Sequence, residues 1–140
     1  MARTRIMSPR DVAERAGAAY QFLDIARLAL PTGSDGSGYS AEAQVSSSNS
    51  ILAGIAAADA ICGKVLGERA NDSNHEAAIK LLASVVPDGK LLGLKLQRLL
   101  RDKSVLQYGG YSTGAKAEEM YRQADNLVTA MGGFGIRRSE

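Results

Sequence analysis

Apolar residues recur at intervals of three and four along most of the chain, and that spacing predicts helices. Ser8 and Pro9 read as an N-cap followed by proline at the first helical position. Val12, Ala16, Ala19, Tyr20, Leu23, Ala26, Arg27 and Leu30 then share a face, and Pro31 closes the first helix. The next segment, 31–38, consists of turn residues and predicts a loop. A longer second helix is expected from about Ser40 to Leu66, with Gly67 as its C-cap. The run Ser46-Ser47-Ser48-Asn49-Ser50 lies inside it and predicts a possible break, because these side chains compete for the backbone.

A polar turn at 71–74 leads into a third helix expected over His75 to Val86, ending before Pro87. Asp88 is expected to cap a fourth, whose leucines at 91, 92, 94, 96, 99, 100 and 106 predict deep burial up to the stop at Gly109-Gly110. Ser112 or Thr113 should start a fifth, with Ala117, Met120, Tyr121, Ala124, Leu127, Val128 and Met131 on one face and Gly132-Gly133 at its end. The pattern predicts one all-α domain over residues 1–140, an antiparallel bundle of about five helices, with 1–7 and 134–140 as loose termini.

Composition sharpens this picture. Alanine and leucine dominate an apolar content of 45%, while aromatics are only 5%, which favours helix over strand. The net charge of +2 does not by itself announce a nucleic-acid binder. The lone Cys62 can form neither an internal disulfide nor a cysteine metal cluster, which fits a reducing cytoplasm. The apolar run Ile51–Ala58 is cut by Asp59, well short of the ~20 residues of a membrane helix, so no membrane association is expected.

Few residues suggest chemistry. No phosphate-binding glycine loop, histidine-rich metal site or Ser/His/Asp arrangement stands out, and no cofactor or metal is implied. His75, at a helix start, reads as a surface or capping residue. Lys90, Lys95, Arg98, Arg101 and Lys103 place positive charge on the fourth helix, where Arg98 and Arg101 are neighbours three apart. Arginine's planar fork suits phosphate, so this face is a candidate RNA- or nucleotide-binding surface, with Tyr108 on the Arg101 and Val105 side. Asp59, embedded among alanines, demands a partner if buried. Either Asp59 faces the basic helix and holds Arg101 or Arg98, with Ser48 about three turns earlier on nearly the same face, or it lies on the exposed edge of its own helix.

The stretch from Arg101 to Tyr108 resembles the signature of HEPN domains, small all-α bundles of prokaryotic toxin–antitoxin, phage-defence and RNA-processing proteins. That signature is an arginine, a polar residue and, four to six positions on, a histidine, followed in one version by a tyrosine two residues later. Arg101 and Asp102 match the opening and Tyr108 the tyrosine, but Leu106 stands where the histidine belongs. The resemblance extends over roughly 18–131. It implies a homodimer and a metal-independent ribonuclease, for which Arg101, Asp102 and Tyr108 would be the catalytic candidates. Leucine cannot transfer a proton, so the leading expectation is a degenerate domain that binds RNA or a nucleotide through Arg98, Arg101 and Tyr108. A ribonuclease toxin held by an antitoxin is the first alternative; in related systems a nucleotidyltransferase partner modifies the motif tyrosine. A helical interaction module in which Arg101 is an internal salt-bridge anchor is the second.

Overall fold

Ser8 takes the extended backbone of an N-cap, and its side chain accepts the Asp11 N–H while the Asp11 carboxylate accepts the Ser8 N–H. This reciprocal capping starts α1 (Pro9–Leu28) in the computed structural model, which describes residues 4–31, 40–71, 75–107 and 112–138. Four more helices follow: α2 (Ala41–Leu66), α3 (His75–Ala83), α4 (Gly89–Gln107) and α5 (Gly114–Gly133). The protein is an all-α bundle with one very small sheet. The expected loop at 32–38, the turn at 72–74, Tyr108 and Gly109-Gly110 lie outside the described residues, as do the side chains of Ser104, Val105 and Gln107.

The bundle is built around α2, which packs against α1, α5 and α4. Ser40 caps it through the Ala43 N–H, and Gly67 ends it in the left-handed region at φ 76°. By length and composition α2 would suffice to cross a membrane, yet 67% of its most apolar window is buried inside the bundle. Its buried side is mostly alanine, serine and glycine (Ala53, Ala56, Ala57 and Ala60 are fully buried), so neighbouring elements approach closely. Gly63 shows how closely: a Cβ there would meet Met7 Cε and Val12 Cγ2, each at 2.9 Å.

The serine run does not break α2. Ser46 Oγ donates to the Ala26 carbonyl of α1 at 2.7 Å, and Ser47 Oγ lies 2.5 Å from Ser112 Oγ at the foot of α5. These hydroxyls find partners on other elements, which removes the local competition expected to unwind the helix.

Other differences are local. Thr4–Ile6 (β1), expected to be part of a loose terminus, pairs antiparallel with Glu68–Ala70 (β2), setting Arg5 opposite Arg69. Met7 N–H adds a bond to the Gly67 carbonyl at 2.9 Å. Near the other end, Ile136 is buried, and Arg138 pairs with Asp24 and lies 5.2 Å above the Tyr20 ring. The α3 helix stops at Ala83 rather than Val86, tightening into turns from Ser84 to Leu81 and from Val85 to Leu82. Asp88 has φ 66°, in the left-handed region, instead of the extended backbone of an N-cap. Thr113 caps α5 as expected, its side chain accepting the Lys116 N–H.

The core joins Val12, Ala16, Ala19 and Leu23 of α1, the alanines and Ile61 of α2, and Leu82 of α3. It is completed by Leu92, Leu96, Leu99 and Leu100 of α4 and by Met120, Leu127, Val128 and Met131 of α5. Two of the leucines expected to be deeply buried, Leu91 and Leu94, are instead 54% and 52% exposed, because helical phase turns them to the side opposite Leu92 and Leu99.

Candidate functional site

The phase of α4 fixes where its cations go. With Leu92, Leu96, Leu99 and Leu100 against the core, Lys90, Leu94, Arg98 and Arg101 follow one another at intervals of four, four and three along the exposed side. From Lys90 to Arg101 this stripe runs about 16 Å along the helix. Neither Arg98 nor Arg101 has an ion pair or hydrogen bond among the described residues. Other arginines are held: Arg10 by Glu14, Arg27 and Arg138 by Asp24, and Arg15 and Arg69 by Asp59. Arg101 borders an open groove with Glu76, Ile79, Lys80, Gln97 and Leu100, in which Glu76 and Lys80 pair with each other at 3.3 Å.

The Asp59–Arg101 or Asp59–Arg98 contact is not formed, and the exposed Arg101 has no ion pair among the described residues. Asp59 is only 6% exposed on α2. Its Oδ2 accepts Arg15 Nη2 of α1 at 3.0 Å and faces Arg69 Nη1 of β2 at 3.6 Å. The physical reason is the α4 register: an arginine one residue beyond buried Leu100 or two before it points outward. Burial pushes the Asp59 carboxyl above the ordinary carboxylate value, and the two guanidiniums and the Arg15 hydrogen bond offset part of that rise.

Arg15, Asp59, Arg69 and His75 line a cavity of about 240 Å³ whose remaining wall is aliphatic. His75 opens α3, and its Nε2 lies 3.0 Å from Lys103 Nζ of α4. Partial burial, and then the neighbouring ammonium, push its pKa below the ordinary histidine value, so the ring is neutral at pH 7. An ammonium only donates, so Nε2 accepts and the ring proton sits on Nδ1. The sequence placed His75 at a helix start but did not connect it with Lys103, Arg15 or Arg69.

The other candidates are scattered. Asp102 pairs with Lys116 of α5 at 3.3 Å. Ser48 is half-buried and lines a separate, mostly apolar recess with Ile51, Leu52, Lys103 and Leu106, so it and Asp59 border different spaces. Leu106, at the histidine position of the HEPN signature, packs partly buried against the core. The buried Cys62 has its thiol pushed up to about 12, chiefly by burial, and is no nucleophile at neutral pH.

Arg15 carried a signal that could have been read: it lies three residues after Val12 and four before Ala19, at the edge of the buried stripe of α1. Arg69 carried none, because a three-residue strand leaves no periodic pattern. No protein-family model, curated protein or solved structure matches the chain. Fold and site together define an all-α domain with an exposed cationic stripe on α4 and, beneath α3, a cavity ringed by arginine, aspartate and histidine.

Proposed function

We propose that this protein is a degenerate HEPN-like domain that binds RNA through phosphate contacts on the exposed side of α4, acting as a homodimer. The observation that carries the reading is the pair Arg98 and Arg101: adjacent, solvent-facing and without a carboxylate on either guanidinium among the described residues. Unpaired guanidiniums can grip phosphate oxygens without first giving up an internal partner. Lys90 extends the charge along the same side, and exposed Leu94 between the cations offers apolar contact to a base or sugar.

Anisotropy of a labelled single-stranded RNA, titrated at 50 and 200 mM salt, tests the proposal. Three phosphate contacts give a salt slope of about −2, hence about twentyfold weaker binding at the higher salt. Replacing Arg98 and Arg101 by alanine should flatten the slope by about 1.4 while leaving the melting temperature unchanged. Superimposable titrations of the two proteins would refute the assignment. The same samples on a denaturing gel read out the ribonuclease alternative, in which wild type alone cleaves without added metal.

A further inference from the structure

The cavity beneath α3 has a chemistry that the α4 stripe does not use. Its polar groups are mostly donors. Arg15 and Arg69 both address the same Asp59 oxygen, so one carboxylate is shared between two guanidiniums. Arg15 Nε is buried with no hydrogen-bond partner. The His75 ring proton sits on Nδ1, because Lys103 occupies Nε2. Nearby carboxylates are already engaged: Glu14 with Arg10 at 3.2 Å, Asp11 with the Ser8 N–H at 2.9 Å, and Glu68 with the Thr4 hydroxyl at 3.2 Å.

Charge and shape then select the ligand. Arg15 and Arg69 set against Asp59 leave one surplus positive charge on the lining, and Lys103, which reaches the His75 ring from the neighbouring recess, adds a second close by. A phosphate monoester carries about −1.5 to −2 at pH 7 and matches that surplus, whereas a carboxylate leaves half of it uncompensated. The aliphatic wall, made by Ile55, Ala58, Leu96 and Leu100, has nothing to offer a bare inorganic ion but suits an apolar or ring-bearing substituent. The arginine side chains are 34% and 23% exposed, so the site is open to solvent on their side.

We infer that this cavity binds a phosphate monoester, with the Arg15 and Arg69 guanidiniums on the phosphate oxygens, Asp59 holding both in place and the substituent against α2 and α4. The inference does not rest on the α4 reading. The phosphate has two possible sources, a free small molecule or the terminal phosphate of an RNA lying on α4, since Leu100 borders both this cavity and the Arg101 groove.

Calorimetric titration of the full chain with phenyl phosphate, beside phenol and inorganic phosphate, tests it. Phenyl phosphate should bind at least tenfold more tightly than either control. Arg69→Gln, on the short strand outside the helical core, should weaken it about tenfold or more, as expected for loss of a charge-assisted hydrogen bond. His75→Gln serves as a second variant, with a smaller loss, and helical content by circular dichroism verifies that both fold. Absence of phenyl phosphate binding at millimolar concentration, equal binding of phenol, or unchanged affinity in Arg69→Gln each overturn the assignment. A 5′-phosphorylated RNA that binds more tightly than its 5′-hydroxyl counterpart, and is displaced by phenyl phosphate, identifies the RNA end as the source. Equal RNA affinities alongside phenyl phosphate binding identify a free monoester. RNA affinity that ignores Arg98 and Arg101 would remove the α4 reading and leave the phenyl phosphate result standing.

Discussion

Removing either side of the Asp59 cluster should have unequal consequences. The carboxylate is 8% exposed, while its partners Arg15 and Arg69 retain 34% and 23%. An arginine that loses Asp59 can turn toward water, but Asp59 cannot turn toward anything if it loses Arg15. Its remaining partner would be Arg69 at 3.6 Å. Stranding a fully buried charge costs about 3–5 kcal/mol, and the surviving pair reduces this to about 2–3 kcal/mol for Arg15→Met, which preserves most of the side-chain volume. Asp59→Asn removes the charge that burial already disfavours and should change stability by no more than about 1 kcal/mol. For a chain of this length 1 kcal/mol corresponds to about 3 °C in melting temperature, so the expected losses are about 6–9 °C and at most about 3 °C.

Acidity supplies a second check. The folded carboxyl lies above its ordinary value of 3.8, so the stability gained by protonating Asp59 is present below that value and disappears as pH rises through the folded one. Losing Arg15 raises the folded value further, so the Arg15→Met deficit should shrink as the solution is acidified toward pH 4. Urea denaturation of the three proteins at pH 7 and pH 4 measures both effects. An Asp59→Asn loss equal to or larger than that of Arg15→Met, or an Arg15→Met deficit independent of pH, would refute the reasoning.

His75 should act in a different window: its folded pKa is depressed, so its contribution is present above about pH 6.5 and lost as pH falls through the folded value. Wild type should therefore lose stability relative to His75→Gln between pH 7 and pH 5, read from urea midpoints. Gly89→Ala should destabilise by about 1–3 kcal/mol, since the added Cβ would sit 2.7 Å from the carbonyl oxygens of both Leu82 and Ala83, and the start of α4 would have to move away from α3. Gly17→Ala, exposed in the middle of α1 with nothing within 4 Å of the added carbon, should stabilise by about 0.5–1 kcal/mol; thermal melts of the two alanine variants should move in opposite directions.

What the sequence made legible follows from what repeats. Helices of 19–26 residues leave many turns of periodic pattern, and most of the apolar positions that spacing assigns to α1 and α5 are buried, whereas on α2 Leu52, Val65 and Leu66 stay exposed while alanines and serines fill the interior. Caps at Ser8, Gly67 and Thr113 were readable because each is a local match of one side chain or one φ to a helix end. Asp59 was readable as a residue in need of a partner, since an acid among buried alanines breaks the pattern. The partner was not, because pairing joins residues 44 positions apart through an approach of α1 to α2 that no local window records. Arg69 was hidden for a further reason: it arrives on β2, which exists only because β1 lies beside it.

The alanines that read only as helix formers also create the space in which the charges meet. Ala58 of α2 and Ala78 of α3 line the cavity, where longer side chains would close it. Two interpretations of that space part company on one substitution. If the volume is only imperfect packing, Ala78→Leu fills part of its 240 Å³ and nothing else changes. Burying about three additional methyl and methylene groups at roughly 0.8 kcal/mol each would then stabilise by about 2 kcal/mol, before losses from imperfect fit. If the volume receives a phosphate ester, the same stabilisation is accompanied by loss of phenyl phosphate binding, because the substituent's place against Leu96 and Leu100 has been taken. A raised melting temperature with intact phenyl phosphate affinity would separate the ligand from the cavity, and with it the argument that small residues on α2 and α3 serve the site as well as the core.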